Sequence, residues 1–177
     1  MGRWMTIGQH SWSEVHALLD HPHGLPGGLR RLRDAWGESL RTLESAHTTR
    51  TWDAIHVLLT GRENGADDRG VPLGPAPARD VVMGGLVLTG GSSRLDAPLL
   101  LRPAEVRAVD AHLRGIDLDA LIRERHPLLK EIGPYSFGDD DGSDMVTNGS
   151  LARDLEVLRG VYARAAAGGD AVIKEIF

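Results

Sequence analysis

The sequence predicts a single α+β domain, a small mixed or antiparallel sheet covered by several helices, across residues 1–177. Three observations carry that expectation. Apolar residues recur at helical spacing in several separate segments, whereas strand-like alternation is confined to the two ends of the chain and one apolar run near its middle. The repeated strand–helix crossovers and strand-end glycine fingerprint of a doubly wound α/β domain are missing. A chain of 177 residues is long enough for one sizeable core and short for two.

Arg3 to Gln9 reads as the first strand, with Trp4 and Thr6 on one side and Met5 and Ile7 on the other. Ser11 and Glu14 stand at capping-box spacing and open a helix whose apolar stripe is Val15, Leu18 and Leu19. Prolines and glycines make a loop of His21 to Gly28. A second helix is expected over Leu29 to Leu43, with Leu32, Trp36 and Leu40 near one face and Gly37 weakening its middle.

The most informative segment is Thr51 to Gly61, an amphipathic helix stopped by a glycine. Trp52, Ile55, His56 and Leu59 line one face, and Asp53 lies beside them, three residues before His56. The polar, glycine-rich run that follows, as far as Asp80, is the longest break in periodicity and a candidate mobile loop inside the domain. Val81 to Gly91 is apolar enough for a strand, in which the Gly84-Gly85 pair allows a bend or a close backbone approach.

Pro103 suits the first turn of a helix continuing through Val106, Val109 and Leu113 and closed by Gly115. Asp117 caps a further helix carrying Leu118, Leu121 and Ile122, with Pro127 marking its end. Leu151, Leu155, Leu158 and Tyr162 describe the last long helix, stopped at Gly168-Gly169. Asp170 to Phe177 is a terminal strand, whose Lys174-Glu175 step favours a sheet edge over a buried centre. That edge offers a route to a homodimer by edge-to-edge pairing, and the same two charges offer protection against it.

The formal charge is −5, and the densest basic cluster, Arg30, Arg31 and Arg33, is followed closely by Asp34 and Glu38. That is a solvated helix face rather than a phosphate track, so no nucleic-acid partner is expected. The chain contains no cysteine, which excludes disulfides, thiolate catalysis and cysteine-ligated metals. No segment is apolar for long enough to span a membrane and no signal-like apolar core follows the start, so a cytoplasmic protein without membrane association is expected.

Conventional catalytic motifs are absent. The Thr89 to Arg94 stretch lacks the lysine of a phosphate loop, and neither the dinucleotide glycine pattern nor a nucleophile elbow occurs, which leaves Ser92 and Ser93 as turn residues. Asp53 with His56 is the strongest local chemistry, since a carboxylate can orient an imidazole and raise its pKa. The same pair reads equally as a buried histidine satisfied by its surroundings and a carboxylate near a helix start.

His10, His16, His21 and His23 beside Asp20 supply metal-donor chemistry without a helical His-Glu-x-x-His arrangement. Asp139, Asp140, Asp141 and Asp144 attract a hard cation but fail the EF-hand endpoints, because alignment on Gly142 puts Phe137 first and Asn148 last. No resident metal or cofactor is therefore expected. Trp36 and Trp52 stand at helix-core spacings, while Trp4, Trp12, Tyr135 and Phe137 are free to border a cleft. A binding cluster would bring Trp4 or Trp12, His56 and the polar groups around Gly84 and Gly85 together.

These segments resemble the bacterial YfbM-like family, a domain family of unknown function. The resemblance is carried by the Met-Gly start before a strand, the Trp-x-x-Ile-His-x-Leu-Leu-Thr-Gly block from Trp52 to Gly61, and the Gly84-Gly85 pair. The Pro-Ala-Glu-Val helix start at Pro103 and the terminal run from Gly168 to Ile173 occur in the same order. Asp53 stands where that family often has a second histidine. The resemblance implies an α+β fold over nearly the whole chain and transfers no catalytic residue. The functional expectation is an accessory protein that binds a small molecule or another protein. The alternative is a small hydrolase or transferase using Asp53 and His56, with or without a divalent metal.

Overall fold

The computed structural model describes residues 3–20, 46–68, 70–88, 97–135 and 142–176. The helix expected at Leu29 to Leu43, the loop before it, Ser92, Ser93, Phe137 and Asp139 to Asp141 lie outside the described residues. In chain order the elements are β1 (Met5–His10), α1 (Trp12–Leu19), β2 (Ala46–Thr49), α2 (Trp52–Thr60), a 3-10 turn (Arg79–Val81), β3 (Leu86–Val87) and β4 (Leu99–Leu101). They continue with α3 (Pro103–Arg114), α4 (Leu118–Ile132), α5 (Ser143–Thr147), α6 (Ser150–Gly168) and β5 (Ala171–Ile176).

Among the described residues the strands form one antiparallel sheet in the order β2-β1-β5-β4-β3. The α+β class is therefore realised, with an antiparallel sheet. The terminal strand is not at an edge, however. Strand β5 lies between β1 and β4, with Ile7 opposite Lys174 on one side and Leu99 opposite Lys174 on the other. The edge-to-edge dimer imagined through this strand thus has no free edge there.

Alternation along the strands separates two apolar clusters. Met5, Ile7, Leu101, Val172 and Ile176 join the main core with the inward faces of α2, α3, α4 and α6. Leu100, Ala171 and Ile173 point the other way, into a smaller cluster with Val15 and Leu88 on which Trp12 and Leu19 pack. The main core explains why α2 departs from the amphipathic expectation. Every residue from Trp52 to Thr60 is buried, because the helix is enclosed on all sides rather than laid on a surface.

Helix α3 is held at its start by Glu105, whose carboxylate accepts the Arg102 backbone N–H at 2.7 Å. Asp117 caps α4 by accepting from the Ala120 N–H at 3.0 Å. Pro127 does not end α4, which runs on to Ile132. Pro127 and Arg123 are both exposed, so the carbonyl deprived of its helical donor lies on the solvent side. The run after Gly61 is organised by local pairing: Asp67 N–H bonds to the Val71 carbonyl at 2.8 Å and Leu73 N–H to the Gly65 carbonyl at 2.9 Å.

The expected strand from Val81 is mostly something else. Arg79–Val81 is a 3-10 turn, and among the described residues of the run only Leu86–Val87 pairs with β4, residues 89–91 lying outside them. The glycine pair provides the close approach. A Cβ on Gly84 would lie 1.8 Å from the Asp80 carboxylate and 2.7 Å from the Asp80 Cα. Gly85 has φ +114°, and its Cβ would meet the Leu100 carbonyl oxygen at 2.7 Å. Strands β2 and β4 were not anticipated.

Three cationic side chains reach across the fold to carbonyls at the ends of other elements. Arg125 of α4 donates to the Leu58 carbonyl of α2 at 2.9 Å, and Arg159 of α6 to those of Leu113 and Ile116 at 2.9 and 2.8 Å. Lys174 of β5 donates to the carbonyls of Asp80 and, at 2.9 Å, Gly84. These carbonyls lie at or just beyond helix and turn ends, where internal donors run short and a cation is favoured by the dipole as well; the Leu113 carbonyl also accepts the Ile116 N–H at 3.3 Å.

Candidate functional site

The enclosed helix α2 contributes Asp53, itself fully buried, to the lining of a surface cleft. Asp53 and Val57, one turn apart on α2, line an open cleft of about 340 Å³ with Glu63, Asn64, Ile132, Gly133, Pro134 and Tyr135. Asp53 lies in the first turn of α2, and its Oδ1 accepts the Ala54 backbone N–H at 2.8 Å. The opposite wall is the C-terminal end of α4, where Gly133 closes the helix with φ 62° and donates its N–H to the Leu129 carbonyl. Tyr135, at 52% exposure, stands at the rim as an exposed aromatic.

The cleft is electronegative in three ways. Asp53 and Glu63 supply carboxylates, Asn64 supplies an amide that both accepts and donates, and the α4 terminus presents the negative end of the helix dipole. Such a site takes a cationic head group, and an aromatic face beside it adds to that attraction. Glu63, Asn64 and Tyr135 come from segments that sequence spacing does not connect to Asp53.

His56 shares α2 with Asp53 but is completely enclosed, and the group facing its ring is the Glu63 backbone, outside regular hydrogen-bond geometry. Asp53 therefore does not orient the ring through a hydrogen bond. Burial holds the imidazole down at about 4 against an ordinary 6.5; the Glu63 backbone opposes the shift, and the Lys174 charge adds to it. His56 is thus neutral at physiological pH, and the hydrolase or transferase reading gains nothing from the pair's geometry.

Lys174 connects His56 to the glycine pair. Its ammonium is close enough to His56 to disfavour a second positive charge, and it donates to the Gly84 carbonyl. Beside it the Tyr162 hydroxyl donates to the Val81 carbonyl at 2.7 Å. Burial pushes the Tyr162 hydroxyl well up and raises Asp80, the latter opposed by Lys174 and Arg79. Trp52 stays in the main core and donates its Nε1–H to the Arg3 carbonyl at 3.3 Å. Trp4 instead lies under the Arg50 guanidinium, 3.7 Å from the ring centroid, and Trp12 packs on the far side of the sheet.

Of the histidine constellation, His16 pairs with Asp20 at 2.9 Å, and His10 is held down at about 4, mainly by burial. His21 and His23 lie outside the described residues. Among the described residues no group of three or more His, Cys, Asp or Glu side chains is arranged to hold a metal ion. No described helix is long and apolar enough to cross a membrane.

The family model described as "Domain of unknown function (DUF1877)" matches residues 1–174. The chain belongs to the DUF1877 family. It is also similar in fold to a solved structure, "a protein of unknown function YfbM from Escherichia coli", with a TM-score of 0.65 and 18% sequence identity over 98% of this chain and 99% of that one. At that identity the likeness speaks for the fold alone. No curated protein matches the chain.

In this DUF1877 domain His10 and His56, the two histidines depressed to about 4, carry a pH dependence with a definite sign. An imidazole held near 4 in the folded chain and near 6.5 in the unfolded one takes up its proton preferentially on unfolding between those values. Stability is therefore fully present above about pH 6.5 and falls progressively towards pH 4, by more than about 1 kcal/mol for each histidine. Urea titrations at stepped pH check this. His56→Leu, which replaces the depressed imidazole by apolar volume, should flatten the slope. A wild-type midpoint constant from pH 7 to pH 4 would contradict the expectation.

Proposed function

We propose that this chain is a cytoplasmic binding protein with no turnover chemistry of its own, and that its ligand enters the Asp53 cleft with an amine or guanidinium group leading. One observation carries the reading: Asp53, Glu63, Asn64 and an exposed Tyr135 converge on one cleft of about 340 Å³ closed by a helix C-terminus. A cation there gains from the carboxylates, the dipole and the ring face together, and the apolar sides of Val57 and Ile132 accept a short carbon chain behind it. The ligand is a small organic amine or a basic side chain of a partner protein, which offers the same head group. The buried His56 supports the absence of a proton-transfer role, since it does not line the cleft and is neutral at physiological pH.

Calorimetric titration with agmatine, which carries one guanidinium and one amine, tests this. Binding with one-to-one stoichiometry is expected, weakened at least about tenfold by Glu63→Gln and by Tyr135→Ala, and weakened by added salt. Native mass spectrometry of gently purified protein, before and after denaturation, identifies any cation that travels with it. Equal titration curves for the wild type and the Glu63→Gln variant would refute the proposed cleft.

A further inference from the structure

A second cavity lies on another part of the molecule and shares no residue with the Asp53 cleft. Helices α3 and α6 pack together in the main core through residues such as Val109, Leu113, Leu158 and Tyr162. Beside that seam, Arg107, Asp110 and Arg114 follow one another along α3 and Ala163, Ala166 and Ala167 along α6, enclosing an open groove of about 330 Å³. The three alanines keep one wall low, so the groove stays open where longer side chains would fill it.

Asp110 is the informative residue. It is only 4% exposed, yet it lines the groove. Its Oδ2 accepts from Arg114, while its Oδ1 is buried and has no hydrogen-bond partner among the described residues. A buried carboxylate oxygen without a donor is costly, and on a residue that lines a groove it is a place for a ligand donor. Arg107, exposed at the same groove, pairs with no carboxylate among the described residues. Arg114 and Asp110 compensate each other, so the groove retains the positive charge of Arg107 and the unfilled acceptor of Asp110.

We propose that this groove binds a small organic anion bearing a hydroxyl group, either a hydroxylated phosphate ester or a hydroxycarboxylate. Arg107 pairs with the anionic group, the hydroxyl donates to Asp110 Oδ1, and the carbon skeleton lies on the alanine wall. An anion without a donor hydrogen would leave Oδ1 unsatisfied and place like charges together, so the hydroxyl is what separates a ligand from a bare ion.

The test is calorimetric titration of the full chain with glycerol 3-phosphate, with glycerate and with sulfate, which carries charge but no hydroxyl. One of the two hydroxylated anions should bind one-to-one, and whichever binds more tightly assigns the anionic group. Sulfate should bind at least about tenfold more weakly. Arg107→Gln should weaken binding at least about tenfold, and so should Ala167→Phe, which fills the groove from an exposed position without changing its charge. Arg123→Gln removes the same charge from an exposed site on α4 and should leave binding unchanged. The proposal is overturned if neither hydroxylated anion binds, if sulfate binds equally well, if Ala167→Phe has no effect, or if Arg123→Gln weakens binding as much as Arg107→Gln.

Discussion

Replacing Lys174 by methionine should cost roughly 3–5 kcal/mol of folding stability, a large share of the roughly 5–15 kcal/mol that holds a domain together. Methionine keeps most of the stem's volume, so packing is largely preserved and the loss isolates the ammonium. What disappears is the donor to the Asp80 and Gly84 carbonyls, which lie in the enclosed turn that follows Ala78. Two carbonyls deprived of a donor cost about 1–3 kcal/mol each. The Asp80 carboxylate, whose burial Lys174 partly offsets, loses its compensating charge as well. Urea unfolding followed by tryptophan fluorescence measures the change. A loss below about 1 kcal/mol would mean that water reaches the turn and takes over the donation.

Gly84→Ala should cost about 2–3 kcal/mol, because the new methyl group would sit 1.8 Å from Asp80 Oδ1 and 2.7 Å from its Cα. The carboxylate can turn aside, but the Cα belongs to the backbone that Lys174 and Tyr162 hold in place. Gly115→Ala is the comparison that isolates this effect. Gly115 has φ −79° and its added Cβ would meet nothing closer than 3.5 Å, so alanine should be neutral or stabilising by up to about 1 kcal/mol. Thermal unfolding of the two variants side by side should therefore move in opposite directions or leave only the first displaced. Equal shifts would place the close approach at Gly84 in doubt.

The helices were legible because their information is local. Trp52 to Gly61, Pro103 to Gly115 and Leu151 to Gly168 each announce a periodic face and a terminus within a few turns. Strands β2 and β4 escape that reading for different reasons. Ala46–Thr49 has no apolar alternation, and Leu99–Leu101 is a three-residue apolar run too short to assign a period. The position of β5 is illegible for a deeper reason. A lysine in a strand argues for water until its partners are known, and the Asp80 and Gly84 carbonyls stand 94 and 90 residues away in sequence.

The candidate site divides in the same way. Asp53 stands out in the sequence because it shares a compact helix with Trp52 and His56. Its cleft partners Glu63 and Asn64 sit in a polar run with no periodicity, and Tyr135 arrives only when α4 continues past Pro127 and brings its C-terminus to α2. The expectation that Pro127 ends the helix would have placed that tyrosine elsewhere. His56 shows the converse. Its residue type suggests chemistry, while its enclosure, visible only in three dimensions, makes it a neutral core residue.

The central place of β5 also fixes what completes the sheet. Among the described residues, strands β1 and β2 on one side, and β3 and β4 on the other, are joined by sheet hydrogen bonds only through Ala171–Ile176. Without that segment each half presents an unpaired strand edge to the gap. Assembly of this sheet is consequently completed by a single six-residue strand, and a chain lacking residues 171–176 would hold two half-sheets with no strand between them.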